Sequence, residues 1–339
     1  MIEMINIKKG AIYIMRICIT GCGGIAHGVH LPSVVRYQNL HGGLEISACA
    51  DINPENLNSL AAKYSIPLKY ENYRQMLNEQ NPDAVICLVK ENVIAEISSD
   101  ILLMGYPVLF EKPPGKTKAE VLLIADAAKK SGKPHMVAFN RRHMPAMTKL
   151  KEIAADRKIT HIAYDFYRKR RYDHDFSDTA IHAVDTVKFL AGSDYKSVEI
   201  FYDEMPHKGK NVANYYLCAK FESQATAFIR ILVDTGEVRE RAEVHVDGDI
   251  IIANAAFANN PADTGGVRVI SDSKITYDIS GEELTGCDLD YVLGGFYHEH
   301  EYFYGCLKNN VKPKHDVSTA IQSVEICEAI RNRVASVKF

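Results

Sequence analysis

A chain of 339 residues with 47% hydrophobic and 24% charged side chains has the composition of a globular protein, not of a disordered or fibrous one. The formal net charge of −3 excludes a general electrostatic attraction to nucleic acid or to an anionic membrane surface, and no apolar run approaches the roughly 20 residues of a membrane span. The length exceeds that of one compact core, so we expect two domains.

The start of the chain raises the question of a targeting signal, because two lysines precede an apolar run over residues 11–15. Arg16 interrupts that run and no small-residue cleavage site follows, so we expect an N-terminal extension over residues 1–14 and not a secretion signal. The eight cysteines form no C-x-x-C pair, which indicates buried thiols in a reducing compartment and therefore a cytoplasmic protein. Three of them lie in predicted strands: Cys18, Cys49 and Cys87.

A strand predicted at residues 16–20 runs directly into the motif Gly21-x-Gly23-x-x-Ala26, and a predicted helix over residues 24–37 contains the end of that motif. A glycine loop between a strand and a helix brings backbone N–H groups against a dinucleotide pyrophosphate. The first glycine permits the tight turn, the second the close approach of phosphate, and the alanine the packing of the helix near the strand. The cofactor-binding residues predicted in this loop are Gly21, Gly23, Gly24, Ile25 and Ala26.

Asp51 follows the second predicted strand, over residues 44–50, where a carboxylate accepts hydrogen bonds from a ribose 2′-OH. The alternative interpretation, an ordinary glycine-rich turn, leaves Asp51 unexplained. Asp51 repels a 2′-phosphate, and the next residues, Ile52 and Asn53, supply no arginine to bind one. The sequence therefore predicts NAD as the cofactor, with NADP as the alternative, and adds Asp51 and Asn53 to the cofactor-binding residues.

Strands and helices alternate through the first 140 residues. Further strands are predicted at residues 67–70, 83–89, 107–111 and 135–139, and further helices at 54–64, 71–79, 91–104 and 117–131. This alternation predicts an α/β fold with a doubly wound parallel sheet of the Rossmann type, in a dinucleotide-binding domain over residues 15–141.

Glu111-Lys112-Pro113 lies at the carboxyl end of one of these strands, the edge outside which such sheets bind their ligands. Lys112 is expected to project towards a bound nicotinamide, to donate a hydrogen bond to a reacting oxygen and to stabilise its negative charge. We predict Glu111 and Lys112 as cofactor-binding residues and Lys112 as catalytic. A solvated lysine before a loop is the alternative. The Lys112–Pro113 bond is a candidate for the cis form.

The alternation stops near residue 141, and residues 142–339 are predicted to form a substrate-binding and oligomerisation domain. Helices are predicted at 145–156, 178–191, 294–308 and 317–335, a strand at 160–171, and four or five long strands between 197 and 278. The hydrophobic alternation in 238–246 is typical of an antiparallel sheet with one face in solvent. Because few helices are left to cover this antiparallel sheet, we expect a homo-oligomer formed across it.

The spacing Asp178-x-x-x-His182-x-x-Asp185 places the first two side chains on one face of a helix. A carboxylate beside an imidazole raises its pKa and orients its ring, which suits a general base near neutral pH. A helix N-cap aspartate and a buried structural histidine are the other interpretation, and the spacing alone does not decide between them.

Two basic runs, over residues 140–143 and 168–171, lie where a cleft between the domains is expected to open. Such runs are usually solvated charge, but in this place they also suit an anionic or phosphorylated substrate. The predicted substrate-binding residues are Arg142, Tyr167, Arg168, Asp178 and His182. Residues 298–301, His-Glu-His-Glu, are expected to form a polar helix face and no metal site, because helix neighbours two apart point to different sides.

Together these motifs resemble those of the Gfo/Idh/MocA oxidoreductase family, over nearly the whole chain. They are the glycine loop, Asp51, Glu111-Lys112-Pro113, Asn140-Arg141-Arg142 and Asp178-x-x-x-His182-x-x-Asp185. The resemblance implies a second α/β domain built on an open, mostly antiparallel sheet. It also implies a homodimer or homotetramer that oxidises secondary alcohols of sugars and cyclitols or runs the reverse reduction. It also implies that Lys112 is the family's lysine, and that Asp178 and His182 are its helix-borne pair.

One stretch departs from the family pattern. The family often carries P-N-x-x-H after the fourth strand, whereas this chain has Lys90-Glu91-Asn92-Val93-Ile94, without the proline and the histidine. That loop ordinarily touches the cofactor near its nicotinamide half.

The main hypothesis is an NAD(P)-dependent oxidoreductase that moves a hydride between the cofactor and a sugar-like secondary alcohol. His182 takes the hydroxyl proton, Lys112 stabilises the alkoxide and Asp178 orients the imidazole. Two alternatives stay open: a non-catalytic NAD(P)-binding sensor or partner protein, which the altered loop favours, and an NAD-assisted glycoside hydrolase that works through a transient ketone.

Overall fold

The structure is a computed structural model that describes residues 14–256 and 265–339. The N-terminal extension predicted over residues 1–14 therefore lies outside the described residues, apart from Ile14.

The first part of the chain forms a six-stranded sheet in the order β3-β2-β1-β4-β5-β6, with every neighbouring pair parallel. Its strands are β1 (Met15–Thr20), β2 (Leu44–Ala50), β3 (Leu68–Tyr70), β4 (Ala84–Cys87), β5 (Val108–Glu111) and β6 (His135–Ala138). The predicted doubly wound sheet is confirmed. The strand order reverses between β1 and β4, so a crevice for a ligand opens outside their carboxyl ends.

Five α-helices connect these strands, and the first begins with a π-helical turn. They are α1 (Leu31–His41), which continues the π-helical turn Ala26–His30, α2 (Pro54–Tyr64), α3 (Tyr73–Gln80), α4 (Ile94–Leu103) and α5 (Lys118–Ser131). The helix predicted over 24–37 is longer than expected and reaches His41. It ends there because Gly42 takes a positive φ of 62° that other residues adopt at a cost.

The second part of the chain forms a nine-stranded sheet in the order β14-β13-β12-β11-β7-β10-β9-β8-β15. Its strands are β7 (Ile159–Tyr167), β8 (Tyr195–Glu204), β9 (Ala213–Phe221), β10 (Thr226–Leu232), β11 (Arg239–Val246), β12 (Asp249–Asn254), β13 (Gly266–Ser271), β14 (Lys274–Ser280) and β15 (Ser336–Lys338). Within this second sheet, the β7–β10 pair is the only parallel pair of described strands, which confirms the mostly antiparallel prediction.

Two details of this sheet differ from the predictions. Seven strands, and not four or five, lie between Tyr195 and Ser280, because the sheet continues through short hairpins such as the one at Asp247-Gly248. The predicted final helix over 317–335 is also too long. Arg333 has a φ of 54°, which ends the helical path and lets the last residues return as β15 on the sheet edge.

The second part of the chain also contains helices, and some of them pack on helices of the first sheet. The helices of the second part are α6 (Pro145–Ile153), α7 (Ser177–Ala191), α8 (Gly281–Thr285), α9 (Asp290–Leu293), α10 (Phe296–Lys308) and α11 (Ile321–Arg331), with 3₁₀ turns at Asn140–His143 and Val317–Ala320. Helix α10 contacts α1, and α11 contacts both α5 and α7. The boundary predicted between residues 141 and 142 falls between the strands of the first sheet and those of the second. The division into two domains stays a prediction, because the C-terminal helices pack on helices of the first sheet.

Burial alternates along the strands of the second sheet as predicted, with one residue buried and the next at least partly exposed in β10 and β11. Among the cysteines, Cys18, Cys49 and Cys87 are buried, which confirms their prediction as core residues, whereas Cys218 is exposed. Cys218 occupies an outward position of β9, where its strand neighbours face the core. Across the described residues, no helix combines the length and the apolar character needed to cross a membrane.

Candidate active site

The glycine loop after β1 has the geometry that its glycines predict. Gly21 has a φ of 91°, and a Cβ there would lie 2.5 Å from the carbonyl oxygen of Leu88. At Gly23 and Gly24 a Cβ would meet no atom within 4 Å among the described residues, so both face open space. Ala26 is fully buried under the following helix. Gly21 is therefore required by the fold, whereas Gly23 leaves room for a ligand to approach the backbone.

Two alanine substitutions separate these roles. Gly21→Ala is expected to lower the free energy of unfolding by about 1–3 kcal/mol, because it adds both backbone strain and a clash with Leu88. Gly23→Ala is expected to leave stability unchanged but to weaken NADH binding by about tenfold or more, about 1.4 kcal/mol, because its methyl group occupies the phosphate's approach. Thermal unfolding and fluorescence titration measure the two effects. Equal loss of stability in both variants would contradict the assignment.

Backbone N–H groups hold the side chain of Asp51 in place, one of them from the glycine loop. Its two carboxylate oxygens accept backbone N–H bonds from Cys22 (2.7 Å) and Asn53 (2.8 Å). The side chain of Asn53 caps α2 by accepting from the N–H groups of Glu55 and Asn56, so it is committed to the helix. Each oxygen of Asp51 keeps a further lone pair for a hydroxyl donor.

A cavity of about 510 Å³ lies against this carboxylate. Its lining includes the glycine loop, Asp51 and the end of β4, and it also includes three residues of the altered loop: Lys90, Asn92 and Val93. The loop that departs from the family pattern thus faces the same cavity as the glycine loop. Of the loop residues predicted to bind cofactor, Gly24 and Ile25 are exposed, the side chain of Ile25 at 41%.

Lys112 follows β5 and reaches across to the second part of the chain. Its Nζ donates to the backbone carbonyl of Asp178 on α7 at 3.3 Å, and the predicted cis bond to Pro113 is present. Burial lowers the pKa of Lys112, and the charge of Arg141 lowers it further. The amine is therefore a partly desolvated cation directed at the helix that carries His182.

Glu111 has both carboxylate oxygens occupied by the protein. Oε1 lies 2.8 Å from His30 Nε2, and Oε2 accepts the backbone N–H of Lys112 at 2.8 Å. Burial alone raises the pKa of Glu111, but the hydrogen bond and charge of His30 outweigh it and the pKa is lowered. Glu111 therefore positions the backbone at Lys112, and the structure gives no direct support to its predicted contact with cofactor.

His182 lies on α7 with its ring stacked on Phe166, at a centroid distance of 6.5 Å. Its Nε2 is 3.4 Å from Nη1 of Arg141, and its buried Nδ1 has no hydrogen-bond partner among the residues that the structure describes. Buried ring nitrogens are normally paired, so this atom is available to a ligand. Burial holds the pKa of His182 well below its usual value, and the charges of Arg141 and Lys112 add to the effect.

The predicted effect of Asp178 on His182 is wrong. The Asp178 carboxylate lies 3.5 Å from Lys116 Nζ and 3.6 Å from Arg331 Nη2, and burial raises its own pKa. The helical spacing places Asp178 and His182 on one face, but cations from other elements capture the carboxylate. Asp178 reaches the site through its backbone carbonyl, which accepts from Lys112.

A buried glutamate that the sequence analysis did not identify organises the cations beside His182. Glu240 of β11 accepts from Arg141 Nη2 (2.7 Å) and Nε (3.1 Å), from Tyr164 Oη (3.2 Å) and from Arg168 Nη2. Burial opposes its ionisation, but the two guanidinium groups outweigh burial and lower its pKa to about 2. The sequence does contain a sign of this buried glutamate. Glu240 occupies the same alternating positions of its strand as the buried residues Ala242 and Val244.

Two predicted substrate-binding residues are committed elsewhere. Arg142 makes a bidentate ion pair with Asp185 at 2.8 and 2.6 Å and also donates to Thr319 at 2.8 Å. Arg168 is paired with Glu240. The basic runs were interpreted as a cleft surface, but buried acids supplied by distant elements neutralise these two side chains.

Tyr167 is not brought to the cluster. Alternate strand residues point to opposite faces, so Tyr167 faces away from the side on which its neighbour Phe166 stacks with His182. The guanidinium groups of Arg230 and Arg239 lie 5.9 and 5.5 Å from its ring centroid. This position does not support its role in binding substrate, which stays a prediction.

The predicted polar helix face at residues 298–301 is also wrong in part. Glu299 and His300 are completely buried, whereas Glu301 is exposed enough to pair with His41. The helix packs on α1, so part of the face that the sequence pattern assigns to solvent is covered by a helix of the first sheet.

Comparison with known proteins finds a family match in the first part of the chain. Residues 15–139 match the Gfo/Idh/MocA family, an oxidoreductase family with an NAD-binding Rossmann fold. Inositol 2-dehydrogenase of Salmonella paratyphi B is 25% identical over 177 residues, which are 49% of this chain and 53% of that protein. The chain thus spans about half the length of the curated relative that it matches.

Solved structures support the whole fold. A dehydrogenase (MviM) from Clostridium difficile superposes with a TM-score of 0.80 at 20% identity, covering 94% of this chain and 99% of that one. An oxidoreductase from Agrobacterium radiobacter, solved with NAD+, L-tartaric acid and magnesium, gives a TM-score of 0.80 at 13% identity and covers 96% of this chain and 98% of that one. At these identities the similarity establishes the two-part α/β fold.

Proposed function

We propose that this chain, whose residues 15–139 match the Gfo/Idh/MocA family of oxidoreductases, transfers a hydride between NAD and a secondary alcohol of a sugar, cyclitol or related polyol. One observation carries the proposal. The amine of Lys112, from the first sheet, contacts α7 one turn before His182, whose ring is buried and has an unpaired nitrogen within the described part of the chain.

The residues of the glycine loop fit a dinucleotide. The open space at Gly23 and Gly24 accommodates phosphate against backbone N–H groups, and the fixed carboxylate of Asp51 accepts ribose hydroxyls. Bound NAD supplies a nicotinamide carbon that accepts or donates hydride. Asp51 disfavours a 2′-phosphate, whereas Lys90 in the same cavity favours an anion, so paired titrations with NADH and NADPH measure the preference.

Two side chains handle the proton and the charge of the substrate hydroxyl. The neutral imidazole of His182 accepts the proton, and the ammonium of Lys112 stabilises the alkoxide that forms. The carbonyl of Asp178 orients that ammonium, and Arg141 keeps the imidazole unprotonated before reaction. Glu240 positions Arg141 and does not itself contact substrate in this scheme.

The substrate class is tested by supplying polyols and following NADH absorbance in both directions. Because the Salmonella relative is an inositol 2-dehydrogenase, cyclitols are the first compounds to supply, followed by sugars and sugar acids. Turnover that accumulates NADH supports the proposal. Product formation without net cofactor reduction would instead indicate a redox-assisted glycosidase, and NADH binding without turnover on any of these compounds would indicate a sensor.

His182→Ala is expected to lower kcat by about 10²–10⁴-fold with little change in NADH affinity, because the variant lacks the base and keeps the cofactor loop.

The lowered pKa of His182 also predicts how the activity of the wild type depends on pH. A base stays active above its own pKa, so the acid limb of wild-type kcat/KM is expected well below pH 6.5. His245→Ala, on the outer sheet face beside Glu243, is the control. A wild-type acid limb at or above pH 6.5 would contradict the role.

We also propose a homodimer or homotetramer formed across the outer face of the nine-stranded sheet, in a reducing, cytoplasmic setting. Phe201 is 55% exposed and Phe228 is 37% exposed on that face, where Phe228 stacks against Tyr216. Exposed aromatic side chains on an open sheet favour a partner surface. Light scattering on the purified chain gives the oligomeric state.

A further inference from the structure

A buried cluster of two histidines and a glutamate joins the glycine-loop helix to the C-terminal helix α10. His30 ends the π-helical turn, and Glu299 and His300 are neighbours on α10. All three side chains are completely buried, and their candidate ligand atoms lie within 4.8 Å of one another. The proposed hydride transfer uses none of them.

Each of the two histidines directs one ring nitrogen into the cluster and the other to a partner outside it. Nδ1 of His30 and Nε2 of His300 face each other at 2.9 Å. The other ring nitrogen of each histidine contacts a separate partner: His30 Nε2 lies 2.8 Å from Glu111, and His300 Nδ1 lies 3.0 Å from the hydroxyl of Tyr304. Metal-bound histidines typically donate the second N–H to a carboxylate or another oxygen in this way, which fixes the tautomer and the ring.

The carboxylate of Glu299 gives a second reason, independent of the histidines, to expect a bound cation. Neither of its carboxylate oxygens has a hydrogen-bond partner within residues 14–256 and 265–339, and both are buried. An unpaired buried carboxylate is costly, and natural proteins pair such groups with hydrogen bonds, cations or metals. No lysine or arginine is hydrogen-bonded to this carboxylate among the described residues, and each of the two imidazoles has a nitrogen within 4.8 Å of one of its oxygens.

We propose that His30, Glu299 and His300 bind a divalent transition-metal ion of the zinc type. Two imidazole nitrogens and one carboxylate oxygen are donors that zinc accepts, and a water completes four-coordination. With Zn–N bonds of about 2.0–2.1 Å at tetrahedral angles, ligand nitrogens are about 3.4 Å apart, so the rings need to separate only slightly from their 2.9 Å contact.

The ion links the two parts of the chain. It ties α10 to the helix after the glycine loop, and through His30 it holds Glu111, whose carboxylate accepts the N–H of Lys112. Its role is structural: it fixes the backbone from which the lysine projects. The prediction that residues 298–301 hold no metal considered only His298 and His300, whereas the partner histidine comes from a distant part of the sequence.

Metal content and zinc titration test the proposal on the full-length chain without a histidine tag. The protein is treated with chelator, dialysed and titrated with Zn²⁺ alone by calorimetry, and Co²⁺ is used as a spectroscopic probe. We expect one ion per chain and visible Co²⁺ absorption bands typical of four-coordination. A wild-type chain that binds no stoichiometric Zn²⁺ overturns the proposal.

Glu299→Gln distinguishes a metal ligand from a merely structural side chain. Without metal, the neutral variant is expected to melt no lower than wild type, because it lacks the unpaired carboxylate. With saturating Zn²⁺, wild type is expected to melt higher than the variant, and the variant's zinc affinity is expected to fall by about 100-fold or more. His298→Asn, on the same helix, keeps wild-type affinity. An equal melting difference with and without zinc, or unchanged affinity in Glu299→Gln, overturns the proposal.

Discussion

Lys112→Met is expected to lower kcat/KM by about 10³-fold, or about 4 kcal/mol, and to change NADH affinity by less than about threefold. Methionine keeps the length and packing of the side chain but removes the charge that stabilises the alkoxide. The cofactor is bound by the glycine loop and Asp51, which this substitution does not touch. Steady-state kinetics and NADH titration measure the two quantities.

Lys118→Met is the matched control, because Lys118 is an exposed lysine on the next helix that pairs with Glu325. It is expected to retain wild-type kinetics. If Lys112→Met kept more than a tenth of wild-type kcat/KM, the charge of Lys112 would not be part of the chemistry. If it lost NADH binding as well, its role would be in binding the cofactor.

Glu240→Gln is expected to lower the free energy of unfolding by about 3–5 kcal/mol, because it leaves two buried guanidinium groups with one neutral partner.

The stabilisation that Glu240 provides depends on pH, because its pKa is lowered in the folded chain. The folded-state pKa of about 2 lies below the ordinary value of 4.5, so the stabilisation is fully present above about pH 4.5 and is lost as pH falls towards 2. A difference of 2.5 pKa units corresponds to about 3 kcal/mol.

Chemical unfolding of wild type and variant between pH 7 and pH 3 measures this effect. The stability difference should be constant down to about pH 4.5 and shrink below it. Glu243→Gln, on the outer face of the same strand, should change stability by less than about 0.5 kcal/mol, since its pairs with Arg241 and His245 are partly exposed. A difference that is small or independent of pH would show that Glu240 does not neutralise the arginines.

The first sheet could be predicted from the sequence because its signals are local. Each buried strand is a short apolar run, three of the five helices have a side-chain N-cap (Asn53, Asn72 and Thr117), and the strands follow one another through regular crossovers. The positions of Gly21, Asp51 and Lys112 follow from the same rule, since ligands bind at the carboxyl edge of such a sheet. For the second sheet, the antiparallel character could be predicted but the number of strands could not, because the sequence marks the turns of its short hairpins only weakly.

The pairing of charges could not be predicted, because it depends on contacts between residues far apart in sequence. Asp178 and His182 have the right spacing, yet Lys116 and Arg331 hold the carboxylate. Arg142 was expected to face a substrate, yet Asp185 binds it. Glu240 was the one detectable exception, a charged residue in a buried strand position. Residues 298–301 raised the question of a metal site in the sequence, but their partner His30 lies 270 residues before His300 and no local pattern connects them.

The structure of the chain with NADH bound tests the central claim most directly, since that claim is that Lys112 and His182 act on one nicotinamide. We predict that the pyrophosphate contacts the backbone at Gly23, and that the nicotinamide ring lies against the carboxyl end of β5 with Lys112 Nζ and the His182 ring both within reach of one substrate hydroxyl. A nicotinamide placed away from β5, or one with only one of these two side chains nearby, would contradict the proposed chemistry.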